Sequence, residues 1–147
     1  SVTGFGSDGP YSDRPAYDPV IQSMTGLMSM VGHPDEPPVR IGASLIDWGT
    51  GTMAAFLIAS AIQNRELTGA GEHIDVNLYE VATAWMGYWY AYYTSTGDVP
   101  NRSGQGFEGI APNEIFYAAG DEPFYLSAIT DTFFERTCET INRPDLA

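Results

Sequence analysis

One stretch of this chain, Trp48 to Leu78, leaves little freedom in the fold, because a long helical pattern in it is closed by glycines and followed at once by a strand pattern. Met53, Phe56, Leu57, Ala61 and Ile62 recur at helical intervals, and Thr68-Gly69-Ala70-Gly71 ends the run, predicting a helix over 48–67. The next residues, His73-Ile74-Asp75-Val76-Asn77-Leu78, alternate polar with apolar as a half-buried strand does. They lead into an aromatic-rich helix from about Tyr79 to Thr94. Helix, strand and helix in that order point to an α/β layer.

The flanking segments extend this pattern. Val2 to Phe5 reads as the end of a strand running into the turn Gly6-Ser7-Asp8-Gly9-Pro10. Asp18 to Gly26 has helical spacing of Val20, Ile21 and Met24, with Pro19 tolerable in a first turn. A proline-rich excursion covers Pro34 to Pro38. Residues 95–112 carry no periodicity and are rich in Gly, Ser, Pro and Asn, so a linker or mobile loop and a domain boundary are expected there. Beyond it, Glu114–Ala118 and Phe124–Ala128 suit a hairpin, and Thr130–Ile141 suits a helix stopped by Arg143-Pro144. With Ser at position 1 and the chain ending at Ala147 soon after a second unit begins at 113, the chain is expected to be an internal piece of a longer protein.

Composition narrows the function classes. The 147 residues are 44% hydrophobic, enough for a core. The longest apolar run, Met53 to Ile62, falls short of the ~20 residues that cross a bilayer, so no transmembrane segment and no membrane partner are expected. No basic stretch followed by an apolar one marks a secretion signal at the start. Cys138 is the one cysteine; it rules out an internal disulfide and fits a reducing compartment, with the cytoplasm as the expected location. Its setting in an amphipathic helix reads as a buried small apolar residue rather than a nucleophile. Net charge is −13, and the six basic residues, all arginine, are scattered, so a nucleic-acid partner is not expected. An acidic surface without lysine also suits high salt, which screens self-repulsion.

Generic catalytic signatures fail. Gly42-Ala43-Ser44 lacks the following glycine of a nucleophile elbow, and the Gly49-Thr50-Gly51 and Gly69-Ala70-Gly71 pairs do not extend to a dinucleotide fingerprint. His33 and His73 have no spaced metal ligands and read as surface residues, and no metal is implied. Asp47 is more informative: it stands at the start of the long helix, where unpaired N–H groups and the helix dipole favour an anion. Local sequence leaves two readings of it open, a helix N-cap and a reactive carboxylate.

Thr3-Gly4-Phe5-Gly6, Gly9-Pro10, Arg14-Pro15-Ala16-Tyr17-Asp18 and Gly26-Leu27-Met28-Ser29 together resemble blocks of the class III CoA-transferase family, the CaiB and BaiF group. The resemblance continues in order through Gly42, Asp47, Gly51, Arg65, Thr68-Gly69, Gly71 and Ile74–Leu78. It then reaches Phe116-Tyr117, Ala128, Phe133-Phe134 and Asn142–Ala147. It implies residues 1–95 as part of a Rossmann-like large α/β domain, 96–112 as a linker with a glycine-containing loop, and 113–147 as the start of a small α+β domain. It also implies an interlinked homodimer in the full-length protein.

The family's chemistry implies Asp47 as a nucleophile that takes coenzyme A from an acyl-CoA and passes it to a carboxylic acid, through an aspartyl-CoA thioester. Coenzyme A enters as the acyl-CoA substrate, with no metal or redox cofactor. Splitting one exchange into several easier steps is the purpose of covalent catalysis. The segment Gly104-Gln105-Gly106-Phe107-Glu108-Gly109 stands where the family has a glycine-rich cover, so Gly104, Gln105 and Gly106 are implied substrate contacts. A plain flexible linker is the other reading. Tyr17 and Arg14 align with a segment near the CoA thioester and are implied substrate contacts; a packed aromatic is the alternative for Tyr17. The family also holds acyl-CoA racemases, whose two proton-transferring groups fall where this chain has Tyr17 and Thr130, a poor pair for proton abstraction near neutrality. Racemase-like activity and a catalytically silent fragment remain as alternatives.

Overall fold

The structure is a computed structural model that describes residues 1–106 and 109–147. Helices and small sheets alternate in an α/β arrangement, as the sequence pattern predicts. The chain divides into two compact units, Ser1–Val31 with Pro38–Asn101, and Gly32–Pro37 with Arg102–Ala147.

In the first unit, β1 (Val2–Thr3) and β2 (Val76–Asn77) pair in parallel, with Val2 opposite Val76 and Thr3 opposite Asn77. Parallel strands need a crossover between them, and α1 (Asp18–Met24) and α2 (Leu45–Thr68) lie in that connection. The alternation over 73–78 thus yields a strand of only two residues. It stops there because Leu78 begins a helix: Asn77, itself buried, accepts the Glu80 N–H at 2.8 Å and caps α3 (Leu78–Trp85). The turn after β1 is tied to the same region by the Ser7 N–H, 2.9 Å from Asp75 Oδ2. Bonding by the Ser7 side chain, then by its N–H, holds the Asp75 carboxyl below its ordinary range.

The core of this unit joins Ile21 of α1, Ile46 of α2 and Ala82 of α3, with Phe5, Ala16, Leu27, Leu78 and Tyr79 against them. A second cluster, Ala54, Val76 and Val81, packs α2 on β2 and α3. The close approach of α2 and α3 depends on Gly49, where a Cβ would stand 2.0 Å from the Trp85 ring.

Two sequence expectations need correction here. The single aromatic helix over 79–94 is two helices, α3 and α4 (Gly87–Thr96), broken at Met86. The Met86 N–H closes onto both Ala82 O and Thr83 O, a tightened last turn, and Gly87, the weakest helix former but proline, restarts the chain. The second concerns α2, which spans 24 residues, about 36 Å at helical rise. By length and composition it is long and apolar enough to cross a membrane, which the interrupted run Met53–Ile62 alone does not suggest. The difference arises because the helix opens on Leu45 and Ile46, and the uncharged stretch 48–52 joins them to that run. Ile46, Thr50 and Ala54 on this helix are buried, and Phe56, Ile58, Ile62 and Leu67 are exposed.

In the second unit, β3 (Asn113–Tyr117) and β4 (Pro123–Ser127) form an antiparallel hairpin with Ile115 opposite Tyr125 and Phe116 opposite Phe124. Its turn places Gly120 and Asp121 at positive φ. Helix α5 (Asp131–Thr140) follows, capped by the Thr130 side chain, which accepts the Phe133 N–H at 3.3 Å. Cys138 lies buried on this helix, in keeping with its reading as a packing residue.

Candidate active site

Asp47 occupies the third position of α2, because the helix starts at Leu45, with Ser44 in the cap position. The N-cap reading of Asp47 therefore fails. The capping comes from elsewhere in the chain: Asp18 Oδ2 accepts the Ile46 N–H at 2.7 Å and the Asp47 N–H at 3.3 Å. Ser44 makes no side-chain cap bond. A carboxylate among the first N–H groups of a helix meets both unpaired donors and the positive end of the dipole.

Asp18 is 2% exposed and Gln22 is fully buried. The Gln22 side-chain amide donates to Asp18 Oδ1, and its own Oε1 accepts the Ile41 N–H at 3.0 Å. Each oxygen of the Asp18 carboxylate is thus bonded, which a buried charge requires. Neither residue stands out in sequence as functional. The legible signal is an Asp and a Gln at i, i+4 on the helix that carries buried Ile21, a polar pair on a core-facing side.

With the Ile46 and Asp47 N–H groups met by Asp18, no hydrogen bond or ion pair engages the Asp47 carboxylate among the described residues. Its side chain is exposed. It lines an open cleft of about 510 Å³ with Trp48, Gly51, Thr52 and Ala55. Trp48, 78% exposed, supplies a broad apolar face next to the carboxylate.

Tyr17 precedes Asp18 directly and forms the extended cap position of α1. It is 74% exposed, so the alternative of a packed core aromatic is set aside. Because Asp18 bonds the Asp47 backbone, Tyr17 and Asp47 are brought to one end of the α1 and α2 pair. Arg14 sits on the preceding turn with its guanidinium carbon 4.4 Å from the Tyr11 ring centroid, a cation–π contact that holds it over that ring. Phe5 meets Tyr11 edge-on at 5.4 Å, joining this turn to the core.

Gly104, Gln105 and Gly106 belong to the second unit. Gly104 has φ +68°, and a Cβ there would come 3.0 Å from His33 Nδ1, so both backbone and space call for glycine. The segment is fastened by Arg102, whose guanidinium donates to His33 O at 2.9 Å, Pro34 O at 3.3 Å and Glu36 O at 2.7 Å. Gly106 N–H bonds Ser103 O at 3.3 Å, closing the turn. Phe107 and Glu108 of the expected cover lie outside the described residues.

Comparison with known proteins places this geometry in a family. The family model for CoA-transferase family III matches residues 1–147. The chain is 39% identical to an acetyl-CoA:oxalate CoA-transferase of Acetobacter aceti, covering 100% of this chain and 38% of that protein. It is 34% identical to a succinyl-CoA–D-citramalate CoA-transferase of Chloroflexus aurantiacus, covering 99% of this chain and 36% of that protein. A crystal structure of a CaiB/BaiF family protein from Brucella suis superposes with TM-score 0.82 at 34% identity, over 100% of this chain and 39% of that one. The chain therefore spans well under half the length of these relatives. Matched along its whole length by the family model, and by relatives and a solved structure of that group, this chain belongs to CoA-transferase family III.

Proposed function

We propose that the protein carrying this chain transfers coenzyme A from an acyl-CoA to a carboxylic acid, with Asp47 as the covalent nucleophile. The observation that carries the proposal is the state of Asp47: a carboxylate on the first turn of α2, exposed in a cleft, free of hydrogen bonds among the described residues, with the Ile46 and Asp47 N–H groups already met by Asp18. Names borne by relatives, the oxalate and citramalate transferases among them, support the reaction class.

The steps balance without an outside proton donor or oxidant. An Asp47 oxygen attacks the thioester carbonyl, the carbon–sulfur bond breaks, and CoA leaves as thiolate, giving a mixed anhydride. The thiolate attacks the Asp47 carbonyl carbon of the anhydride and expels the donor acid as carboxylate, leaving an aspartyl-CoA thioester. An acceptor carboxylate attacks that thioester and releases thiolate. The thiolate then attacks the acceptor's acyl carbon, making the new acyl-CoA and restoring Asp47. Each step exchanges one anion for another, so an unencumbered carboxylate serves this chemistry better than one spent on a cap. Each also passes through an oxyanion, for which aligned N–H donors are the usual stabiliser. We assign acyl-CoA contacts to Tyr17, Arg14, Gly104, Gln105 and Gly106.

The test is capture on the intact polypeptide, incubated with acyl-CoAs and hydroxylamine in heavy water and read by peptide mass spectrometry. Hydroxamate on Asp47 is the expected result. Deuterium entering the acyl group beside the thioester, with Asp47 unlabelled, would replace the transferase reading with racemase chemistry. Neither signal would leave the catalytically silent reading standing.

A further inference from the structure

Asp18 and Gln22 do more than an ordinary helix cap requires. A side chain at Ser44 has the usual position for satisfying the first N–H groups of α2, yet it makes no such bond. The bond is made instead by a carboxylate from α1, 28 residues away in sequence from Ile46. That carboxylate is oriented through its other oxygen by Gln22, which also holds the Ile41 N–H. One buried pair thus grips the segment that leads into α2 at two points, Ile41 and the Ile46–Asp47 turn. Ile46 itself is fully buried in the core beside Ile21.

Two consequences fall on Asp47. The first turn of a helix normally frays, because its N–H groups lack partners within the helix; here it is fastened to the core. Second, two of the donors toward which the Asp47 carboxylate could turn, the Ile46 and Asp47 N–H groups, are already occupied. Its oxygens are left to the cleft bounded by Trp48, Gly51 and Thr52.

We propose that Asp18, oriented by Gln22, is a positioning residue for the reaction at Asp47: it fixes the backbone that presents the nucleophile and keeps that carboxylate free of its helix terminus. The proposal rests on Asp47 being the nucleophile. Asp18 is buried and bonds the Asp47 backbone, so its effect passes through Asp47.

The experiment compares the intact polypeptide with its Asp18→Asn and Gln22→Met variants. Hydroxylamine capture on the unaltered protein comes first, and failure to label Asp47 there removes the underlying reading, whatever the variants do. Given capture, Asp18→Asn keeps an acceptor oxygen for the Ile46 N–H in nearly the same volume, so a folded protein is expected by circular dichroism. It should lower kcat on the order of 10- to 100-fold while the acyl-CoA KM stays within about twofold, the signature of a misplaced reacting group rather than lost substrate binding. Gln22→Met, which lets the Asp18 carboxylate turn without changing charge, should move kcat the same way by a smaller factor. A folded Asp18→Asn protein with unchanged kcat would overturn the proposal. Should that variant not fold, Gln22→Met decides: an unchanged kcat overturns the positioning role, and a lowered kcat at constant KM upholds it. A purely structural role would lower the melting temperature and leave kcat intact below it.

Discussion

At Gly49 a single hydrogen atom decides whether α2 and α3 pack. A Cβ added there would lie 2.0 and 2.3 Å from two carbons of the Trp85 ring, closer than any contact allows, so the ring or a helix must shift. Gly49→Ala is expected to destabilise the protein by about 2 kcal/mol or more, in the range of core overpacking. Gly51→Ala, on the same helix with nothing within 4 Å of the added carbon, serves as the control for helix propensity and should not destabilise it. Urea midpoints of the two variants check this; equal midpoints would mean that Trp85 moves aside freely. The same scale explains what local reading of Asp47 leaves open. Its residue type and place at a helix start suit a cap and a nucleophile equally, and what separates them is Asp18, distant in sequence, whose carboxylate has taken the capping role.

Among the elements, long periodic patterns are the legible ones. The helices α1, α2 and α5 and the β3–β4 hairpin follow from apolar spacing and glycine or proline stops, with ends shifted by a few residues. Where the reading differs, a local competition has been won by something nearby: Asn77 ends β2 by capping α3, and Met86-Gly87 divides the aromatic stretch. The proline-rich excursion is opaque in sequence because nothing in it names its partner. Its carbonyls at His33, Pro34 and Glu36 are gathered by the fork of Arg102, a geometry that a lysine ammonium cannot reproduce. Arg102→Lys is expected to speed hydrogen exchange at Glu36, whose N–H bonds His33 O at 3.2 Å, and at Gly106 in the adjoining turn. Unchanged exchange at both sites would show that the excursion holds its shape without the guanidinium.

For the molecule as a whole, charge is the dominant feature. Nineteen acidic residues stand against six arginines, and the ion pairs Arg65–Glu66 and Arg143–Asp145 are exposed, so they offset little of the self-repulsion. Such a surface is stabilised by screening, which shortens the reach of each charge from about 10 Å at 0.1 M salt to about 3 Å at 1 M. The melting temperature of the intact protein is expected to rise steadily as KCl approaches molar concentration. A flat profile would dissociate the acidic composition from salt adaptation. At the same scale, the large apolar side chains Phe56, Ile58, Ile62 and Leu67 lie exposed along α2.

The amino-acid sequence by itself determined the α/β succession, the positions of the longest helices, the burial of Cys138 and, through its ordered motif blocks, membership in the family. Those features rest on periodicity, turn chemistry and residue order, all of which act over a few neighbours in the chain. Only the tertiary structure decided that Asp18 caps α2, that Gln22 orients Asp18, that Gly49 must be bare and that Arg102 gathers the 33–36 carbonyls. Each of these depends on groups distant in sequence or on facing helices. Which donor a buried carboxylate finds is set by how whole elements pack, not by the residues beside it.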